Sequence, residues 1–549
     1  MSLAERFITH AVDNQAPPLA DWNLYTSDRV LREAMLREGG AWGEAQLSEF
    51  GAVAGGEIME LGFKANENKP KLRTFDRYGH RIDEIEFHPA WHRVMELAMR
   101  HGVHAFAWRN AERKGAHVVR AGLSYLHGQA EQGSGCPLTM THSSVPSLRH
   151  QPELAKFWLP KITSLDYDPR VLAAADKRSC TIGMGMTEKQ GGSDVRANTT
   201  RAHAQPDGSY EVVGHKWFFS APMCDAWLVL AYTDAGITCF LMPKLRPDGS
   251  HNAIRIQRLK DKLGDWSNAS SEVEFQGAYA QRVGEEGRGV ATILEMVALT
   301  RLDCMIGSSA LMRQATAQAL HHCSYRKAFG KRLVEQPLMQ NVLADLALES
   351  EAALALTLRV ARAVDASAAE PAEAAFARIA TAIGKYWICK RAPALVNEAQ
   401  ECLGGAGYVE ESNLPRLYRQ APLNSIWEGS GNIQCLDVLR AISREPQTRD
   451  AVFGELLAAR GAHADLDREL AWLGQAFDDV TTLERRSRMV VERLALALQA
   501  SVLLRAANRE VADSFCASRL GGQHGLAFGT LPTDAPQLAL VERALPIAT

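Results

Sequence analysis

The order of local sequence patterns constrains the fold of this chain most strongly. Up to about residue 180, apolar residues recur at helical spacing, as at Trp91, Val94, Met95 and Ala98. Between about 181 and 288, short β-rich runs follow one another, separated by turns such as Pro206-Asp207-Gly208, with no helix-length segment between them. Strands without intervening helices predict antiparallel pairing in a small barrel or sandwich.

The rest of the chain is predicted to be helical. Ala- and Leu-rich segments at 290–320, 335–365, 372–402 and 430–441 indicate a four-helix bundle. A further helical block runs from about 450 to 515, and the Gly- and Pro-rich tail after it is expected to lack regular structure. We therefore predict an α+β multidomain fold: a helical domain at 1–182, an antiparallel β domain at 183–288, the bundle at 289–440 and a helical extension at 441–549.

Several classes of function lack their sequence signals. The ten cysteines contain no C-x-x-C pair, and the zincin, P-loop and α/β-hydrolase motifs are missing, so no metal site is predicted. No apolar run of about 18 residues occurs, and the N-terminus lacks the apolar core of a signal peptide. We therefore expect a cytoplasmic protein without a membrane span. The net charge of −3 gives no chain-wide attraction for nucleic acid.

The segment GMTEKQGGSDVRA at 185–197 is the strongest local signal. Its glycines leave backbone N–H groups accessible, and Thr187 and Ser193 can donate hydrogen bonds, which suits a loop around an anionic or heteroaromatic cofactor. An ordinary Gly-rich loop is the alternative. The third glycine of a dinucleotide fingerprint is missing, which argues against a Rossmann site.

Four motifs together resemble those of the acyl-CoA dehydrogenase flavoproteins. They are M-T-E-x-x-x-G-S-D at 186–194, R-x-x-F-G-K at 326–331, L-G-G-x-G-Y at 403–408 and W-E-G-S-G-N-I-Q at 427–434. They occur in the family's order across about 250 residues. The predicted order of helical, β and helical domains also resembles the fold of that family.

The resemblance implies an FAD site and a catalytic base. The residues expected to bind FAD are Met184, Gly185, Met186, Thr187, Gly191, Gly192, Ser193, Phe218, Phe219, Ser220, Arg326, Phe329, Glu401, Gly404, Gly405, Trp427, Ser430 and Asn432. Arg326 and Phe329, together with the glycine turn, would reach the adenosine half of a neighbouring subunit's FAD, which implies an oligomer. Glu428 matches the family's base, which removes the α-proton of an acyl thioester while the β-hydrogen leaves as hydride. A subgroup places its base just before an arginine on an earlier helix, but that position is Thr300 here.

Departures from the common pattern indicate one branch of the family. The chain continues for 115 residues after Gln434, Ala298 stands where several relatives have an acidic residue, and Trp427 stands where tyrosine is usual. These features resemble the AidB flavoproteins of the bacterial response to DNA alkylation, which are tetramers that bind FAD and double-stranded DNA. The resemblance implies a DNA-protective homotetramer with weak, isovaleryl-CoA-like dehydrogenase activity, whose ligand is an acyl-CoA or an alkylating small molecule.

Two alternatives stay open. One is a working acyl-CoA dehydrogenase or oxidase whose extension serves assembly, and the other is a DNA-binding protein in which FAD is structural. Residues 441–549 contain 12 arginines, no lysines and 14 acidic residues, so the extension has no bulk attraction for phosphate. Arginine clusters within it could contact phosphates or could pair with neighbouring carboxylates. The candidate DNA-binding residues are Arg440, Arg486 and Arg519.

Overall fold

The structure, a computed structural model, describes residues 5–546. Residues 1–4 and 547–549, which belong to the predicted end domains, lie outside the described residues. The N-terminal region contains eight helices and one hairpin: α1 Arg29–Arg37, α2 Glu44–Val53, α3 Met59–Glu67, β1 Lys71–Phe75, β2 Arg81–Glu86, α4 Pro89–Arg100, α5 Phe106–Arg109, α6 Ala116–Ala130, α7 Gly135–Arg149 and α8 Pro152–Ile162.

The hairpin β1–β2 was not expected, because the sequence suggested only helices and loops before residue 180. The two strands pair antiparallel, and exposed and half-buried side chains alternate along β1. The loop between them closes at Gly79, whose φ of +87° favours glycine. The many charged residues of this segment conceal the two-residue period that is typical of a strand.

The middle region is a seven-stranded sheet that closes on itself. Its strands are β3 Ile182–Gly185, β4 Arg201–Ala204, β5 Tyr210–Ser220, β6 Ala226–Thr233, β7 Gly236–Pro243, β8 Ile254–Leu259 and β9 Ser270–Val283. The long strand β5 pairs with β3, β4 and β9, and most pairs are antiparallel, as predicted. The pairing of β3 with β6 is parallel, which was not predicted.

The helical half of the chain begins with the predicted bundle. Its elements are α9 Gly289–Tyr325, the small hairpin β10 Lys327–Ala328 and β11 Lys331–Arg332, α10 Pro337–Ala366, α11 Pro371–Cys402, α12 Leu414–Gln420 and α13 Gly431–Arg444. Proline occupies the first turn of α10 and α11, where its missing N–H leaves no hydrogen bond unmade. The central helix α9 packs against α6, α7, α10 and α11, so the bundle and the N-terminal helices share one core.

The predicted extension forms part of that same core. It contains α14 Pro446–Leu457, α15 Ala464–Ala476, α16 Leu483–Leu504, α17 Arg509–Phe515 and α18 Gln537–Ala544. Helix α16 packs against α10, α11 and α13, and α18 packs against α10. Buried ion pairs also cross the boundary, as where Arg359 of α10 binds Glu455 of α14. Between residues 5 and 546, no helix is both long and apolar enough to span a membrane.

Candidate functional site

The turn that carries Glu428 connects the bundle to α13 and has an unusual backbone. Glu428 has a φ of +57° and Gly429 a φ of +92°, both in the left-handed region. A non-glycine residue in this region costs on the order of 1 kcal/mol, so the surrounding structure must hold it there. The sequence gives no hint of this strain, because only the second residue of the pair is glycine.

A buried lysine, Lys385 of α11, stabilises the turn by hydrogen bonds. Its ammonium donates hydrogen bonds to the carbonyl oxygens of Asn424 at 3.0 Å, Trp427 at 2.8 Å and Gly429 at 2.8 Å. Three acceptors satisfy all three N–H groups of the ammonium. Sequence reasoning missed Lys385, because it lies inside a regular helix far from any of the four motifs.

Two further side chains bind the backbone of Glu428 itself. Arg301 of α9 donates from Nε to the carbonyl oxygen of Glu428 at 2.9 Å and pairs with Asp437 of α13 at 2.8 Å. Gln434 donates from Nε2 to the carbonyl oxygens of Glu428 at 3.1 Å and Gly429 at 2.9 Å. Helices α9, α11 and α13 therefore each contribute a side chain that holds this turn.

The carboxylate of Glu428 accepts a hydrogen bond from the hydroxyl of Thr300, with 2.9 Å between Thr300 Oγ1 and Glu428 Oε2. Burial raises the pKa of Glu428 above its usual range, and the Thr300 hydrogen bond and the charges of Lys385 and Arg301 oppose that rise. A carboxyl group with a raised pKa is a stronger proton acceptor than an ordinary surface glutamate once it is ionised.

Glu428 lies at the wall of a cavity between the N-terminal helices, α9 and the barrel. The cavity contains about 630 Å³ of space that protein atoms do not fill, part of it open to solvent. Helices α6, α7 and α9 and the end of β5 contribute to its walls, and residues beside Glu428 include Met140, Ser220, Thr300, Cys304 and Trp427. A concave site of this size, whose lining includes the acidic residues Glu131, Asp303 and Glu428, is typical of a small-molecule site.

Two of the barrel residues predicted to bind a cofactor are linked to this cavity. Met184 of β3 pairs with Ser220 of β5, and Ser220 lines the cavity. The loop after β3 exposes Gly191 and Ser193, and Gly191 has a φ of +136°. Thr187 packs closely on Gly192: a Cβ added at Gly192 would lie 2.2 Å from the hydroxyl oxygen of Thr187.

A buried ion pair anchors the Gly-rich loop to the barrel. Glu188 and Lys216 are both fully buried, with 2.8 Å between Glu188 Oε1 and Lys216 Nζ. Glu188 also accepts a hydrogen bond from the backbone N–H of Thr199 at 2.7 Å. The glutamate of the M-T-E motif therefore has a structural role.

The two adjacent phenylalanines of β5 differ in their surroundings. Phe218 is half exposed, and the ammonium of Lys260 lies 4.4 Å from its ring centroid. Phe219 is fully buried and packs against Trp227 and Phe275. The prediction for the Phe219 side chain is therefore corrected: residues alternate in direction along a strand, so Phe218 faces outward and Phe219 lies in the barrel core.

A second set of predicted cofactor residues lies at the other end of α9, whereas Trp427, Ser430 and Asn432 lie beside Glu428 at the start of α13. Arg326 ends α9, and Glu401, Gly404 and Gly405 lie at the end of α11, beside it, where Cys323 Sγ is 3.9 Å from the carbonyl oxygen of Cys402. Arg326 is 26 positions beyond Thr300, about 39 Å along a helix axis. The structure thus brings the predicted residues together in two groups that are far apart within one chain.

Phe329 lies at the tip of the β10–β11 hairpin and is fully exposed. Phe329 and Gly330 have φ values of +51° and +79°, which matches a tight hairpin turn with two left-handed residues. The ring of Phe329 is therefore accessible from outside the chain.

Comparison with known proteins assigns these features to a family. Residues 14–169 match the adaptive response protein AidB N-terminal domain, 183–278 the acyl-CoA dehydrogenase middle domain and 287–443 the acyl-CoA dehydrogenase C-terminal domain. The chain is 46% identical to the AidB protein of Escherichia coli (strain K12) over 520 residues, which cover 94% of this chain and 96% of that protein. The chain belongs to the acyl-CoA dehydrogenase family. The first of these domains and the E. coli relative place it in the AidB branch.

Solved structures support the same assignment. ACDH-11 of Caenorhabditis elegans, solved in complex with C11-CoA, superposes with a TM-score of 0.84 at 27% identity over 95% of both chains. The Bd2924 apo-form superposes with a TM-score of 0.82 at 27% identity, covering 92% of this chain and all of that one. The fold, including its helical extension, is therefore that of an AidB-type acyl-CoA dehydrogenase.

Acyl-CoA dehydrogenase family members are FAD flavoproteins, and the residues of this chain fit such a group. Backbone N–H groups and hydroxyls around Gly191 and Ser193 suit phosphates, and the half-exposed ring of Phe218 suits stacking on a flavin. In the second set of predicted residues, near Arg326, a Cβ added at Gly404 or Gly405 would meet no atom within 4 Å. A ligand could therefore approach the backbone of these two glycines closely.

The three arginines predicted to contact DNA have different environments in this AidB-type chain. Arg440 of α13 is exposed, whereas Arg486 donates hydrogen bonds to the carbonyl oxygens of Ala476 and Asp479 at 3.1 and 3.2 Å. Arg519 is 6% exposed and binds Asp345 at 2.5 Å and Glu349 at 2.9 Å. The prediction for Arg519 is therefore corrected, because two carboxylates of α10 already neutralise its charge and bury it.

Proposed function

We propose that this protein is an FAD-dependent acyl-CoA dehydrogenase-like enzyme in which Glu428 removes the α-proton of an acyl thioester. The observation that carries the proposal is the position of the Glu428 carboxylate at the wall of a cavity that also reaches Ser220, in the predicted cofactor region of the barrel. FAD, when bound, supplies the acceptor for the β-hydrogen. Glu428, held on a strained and fully bonded turn, is preorganised to take the proton.

The proposed activity is weak, with a small branched acyl-CoA such as isovaleryl-CoA as substrate. Trp427 lines the cavity beside the base, and its indole N–H donates to Asn424 Oδ1 at 2.9 Å. Ala298, one turn before Arg301, leaves no carboxylate at a position that is acidic in several thioester-using relatives. A misplacement of a reacting group by about 1 Å can reduce the rate by about 100-fold.

We further propose that each FAD is shared between two chains of a homotetramer. A separation of about 39 Å between the Glu428 group and the Arg326 group supports two different FAD molecules rather than one. The exposed and strained Phe329 supports a contact with a neighbouring chain. Symmetric oligomers would complete both halves of every site at once.

The third part of the proposal is double-stranded DNA binding in the response to DNA alkylation. It draws on the likeness to AidB and on a group of exposed arginines at the ends of α13, α14 and α16, which we call the α13–α16 arginine surface: Arg440, Arg444, Arg449, Arg485 and Arg488. Within residues 5–546, none of these five has a carboxylate within 4 Å. Helix α16 packs against α13, which supports one continuous surface.

The enzymatic proposal is tested with the purified full-length protein and a matched pair of variants. We expect bound FAD in the absorbance spectrum and slow flavin bleaching by isovaleryl-CoA under anaerobic conditions. Glu428→Gln should keep FAD and abolish bleaching, and Glu112→Gln, at an exposed position on the N-terminal domain, should change neither. Bleaching that survives in Glu428→Gln would refute the assignment of the base.

The DNA proposal is tested by measuring duplex affinity at several salt concentrations. Each phosphate contact contributes about 0.9 to the slope of log K against log salt. Replacing Arg440, Arg444 and Arg485 by glutamine should flatten this slope by up to about 2.7, and Lys156→Gln on α8 should leave it unchanged. If the full chain does not bind duplex at low salt, the alternative holds and the extension serves assembly.

A further inference from the structure

A second cavity lies between the N-terminal hairpin and the barrel. It contains about 350 Å³ of space, and its lining includes Arg81 and Asp83 of β2, Lys244 and His251 of the β7–β8 connection, and Arg255 of β8. None of its lining residues belongs to the cavity of Glu428. The proposed enzyme function therefore gives this cavity no role.

Arg81 and Asp83 form an ion pair in the wall of the cavity that the hairpin contributes. Arg81 donates from Nε to Asp83 Oδ2 at 2.7 Å and from Nη2 to the carbonyl oxygen of Ile256 at 2.9 Å, which joins the hairpin to β8. Asp83 has a φ of +46°, and its other carboxylate oxygen is buried without a hydrogen-bond partner. This pair contributes one positive and one negative charge.

Lys244 contributes a positive charge that is influenced by the carboxylates of Asp225 and Glu84 but, among the described residues, forms an ion pair with neither. In the described part of the chain, its ammonium has no hydrogen-bond acceptor within 3.5 Å and no carboxylate within 4 Å. The carboxylate of Asp225, which influences it most, already binds Lys177 at 2.6 Å and the backbone N–H of Thr181 at 2.8 Å. Burial lowers the pKa of Lys244, as expected for an ammonium without a close partner.

Arg255 adds a second uncompensated charge. It lies opposite Glu274 in the β8–β9 register, yet over residues 5–546 no carboxylate comes within 4 Å of its guanidinium. The lysine, the two arginines and the aspartate that line the cavity sum to a charge of +2. Lys244 and Arg255 are both partly buried, and two partly desolvated positive charges without a paired carboxylate favour a ligand that brings negative charge.

We propose that this cavity binds a phosphate group, either of free phosphate or of a small phosphate ester. A phosphate carries close to two negative charges at neutral pH, which matches the charge of the lining. Lysine and arginine are the usual donors to its oxygens, and the cavity opens to solvent, from which an anion can enter. Two sides of the site come from different domains, so the ligand would also join the hairpin to the barrel.

The test uses the FAD-loaded full chain in phosphate-free buffer. Inorganic phosphate and glycerol 2-phosphate are titrated separately by calorimetry, at constant ionic strength maintained with chloride. Saturable binding of inorganic phosphate would support a free-phosphate site, and binding of the ester alone would support a phosphate-ester site. Saturation by neither compound would overturn the proposal.

Variants separate this site from other basic surfaces. Lys244→Met and Arg255→Gln should each weaken binding at least about tenfold, the effect of losing one charge-assisted hydrogen bond. Lys71→Met, an exposed position on the same hairpin, should bind as the unchanged chain does. Lys244→Met should also raise the melting temperature without phosphate, because it removes an uncompensated buried charge. Equal affinity in Lys244→Met and the unchanged chain would show that phosphate binds elsewhere.

Discussion

Replacing Lys385 by methionine tests whether this lysine stabilises the turn that carries Glu428. Methionine keeps the apolar stem of the side chain but removes all three hydrogen bonds to the turn. The carbonyl oxygen of Gly429 retains Gln434 as a donor, whereas those of Asn424 and Trp427 lose the one side-chain donor that residues 5–546 give them. A buried group left unpaired costs about 1–3 kcal/mol, so we expect a loss of about 2–6 kcal/mol in the free energy of unfolding.

The same substitution should change the titration of the base. The charge of Lys385 favours the ionised form of Glu428 and so lowers its pKa. Without that charge the pKa of Glu428 rises further, and the acid limb of the pH profile for flavin bleaching should move to higher pH. The rate at the optimum should fall by up to about 100-fold if the turn shifts by about 1 Å.

The assay combines urea unfolding, FAD content and single-turnover bleaching by acyl-CoA across pH. Lys114→Met, at an exposed position in the N-terminal region, is the matched control and should change none of the three. A variant that loses stability but keeps both the acid limb and the optimal rate would refute the reasoning, since Lys385 would then support packing alone.

Three further predictions concern single side chains. Glu428→Gln should raise the melting temperature at pH 7, because a carboxyl group whose pKa is raised in the folded state destabilises the fold when it is ionised. The gain in melting temperature should vanish below about pH 4.5, where the group is protonated in both the folded and the unfolded state. Arg519→Leu should destabilise the chain by about 3–5 kcal/mol in urea unfolding, whereas Arg440→Leu should change stability by less than about 0.5 kcal/mol. Phe219→Ala should cost about 3–5 kcal/mol of stability, and Phe218→Ala should chiefly weaken FAD retention, measured by flavin fluorescence; equal effects of these two variants on stability would contradict the alternation along β5.

The sequence predicted those parts of the fold whose pattern is local. The bundle helices were placed within a few residues, since Ala- and Leu-rich periodicity and proline at the first turn are sequence features. The parallel pairing of β3 with β6 could not be predicted, because pairing between distant strands depends on tertiary structure. Glu428 was predicted by resemblance to a motif, but the three side chains that position it belong to separate helices.

The extension shows why local pattern does not give function. Its arginines looked similar in the sequence, yet Arg493 binds Glu469 and Arg519 binds two carboxylates of α10, while Arg440 and Arg485 remain exposed. Whether an arginine is exposed depends on whether a neighbouring helix places a carboxylate beside it. Hydrophobic periodicity predicts that α16 has a buried face, but it does not specify that α10, α11 and α13 cover that face.

Helix α13 connects the two proposed activities physically. It begins at Gly431, directly after the turn that carries Glu428, and ends at Arg444 in the α13–α16 arginine surface. Fourteen residues span about 21 Å, and Arg488 of α16 donates to Asn432 Oδ1 at 2.8 Å near its start. Removing the extension would therefore expose the apolar faces of α11 and α13 and disturb the turn that carries Glu428 as well as any DNA surface. A truncation would therefore affect the Glu428 turn and the arginine surface together. Surface substitutions that leave the core intact are the changes that can distinguish a DNA-binding role from an assembly role.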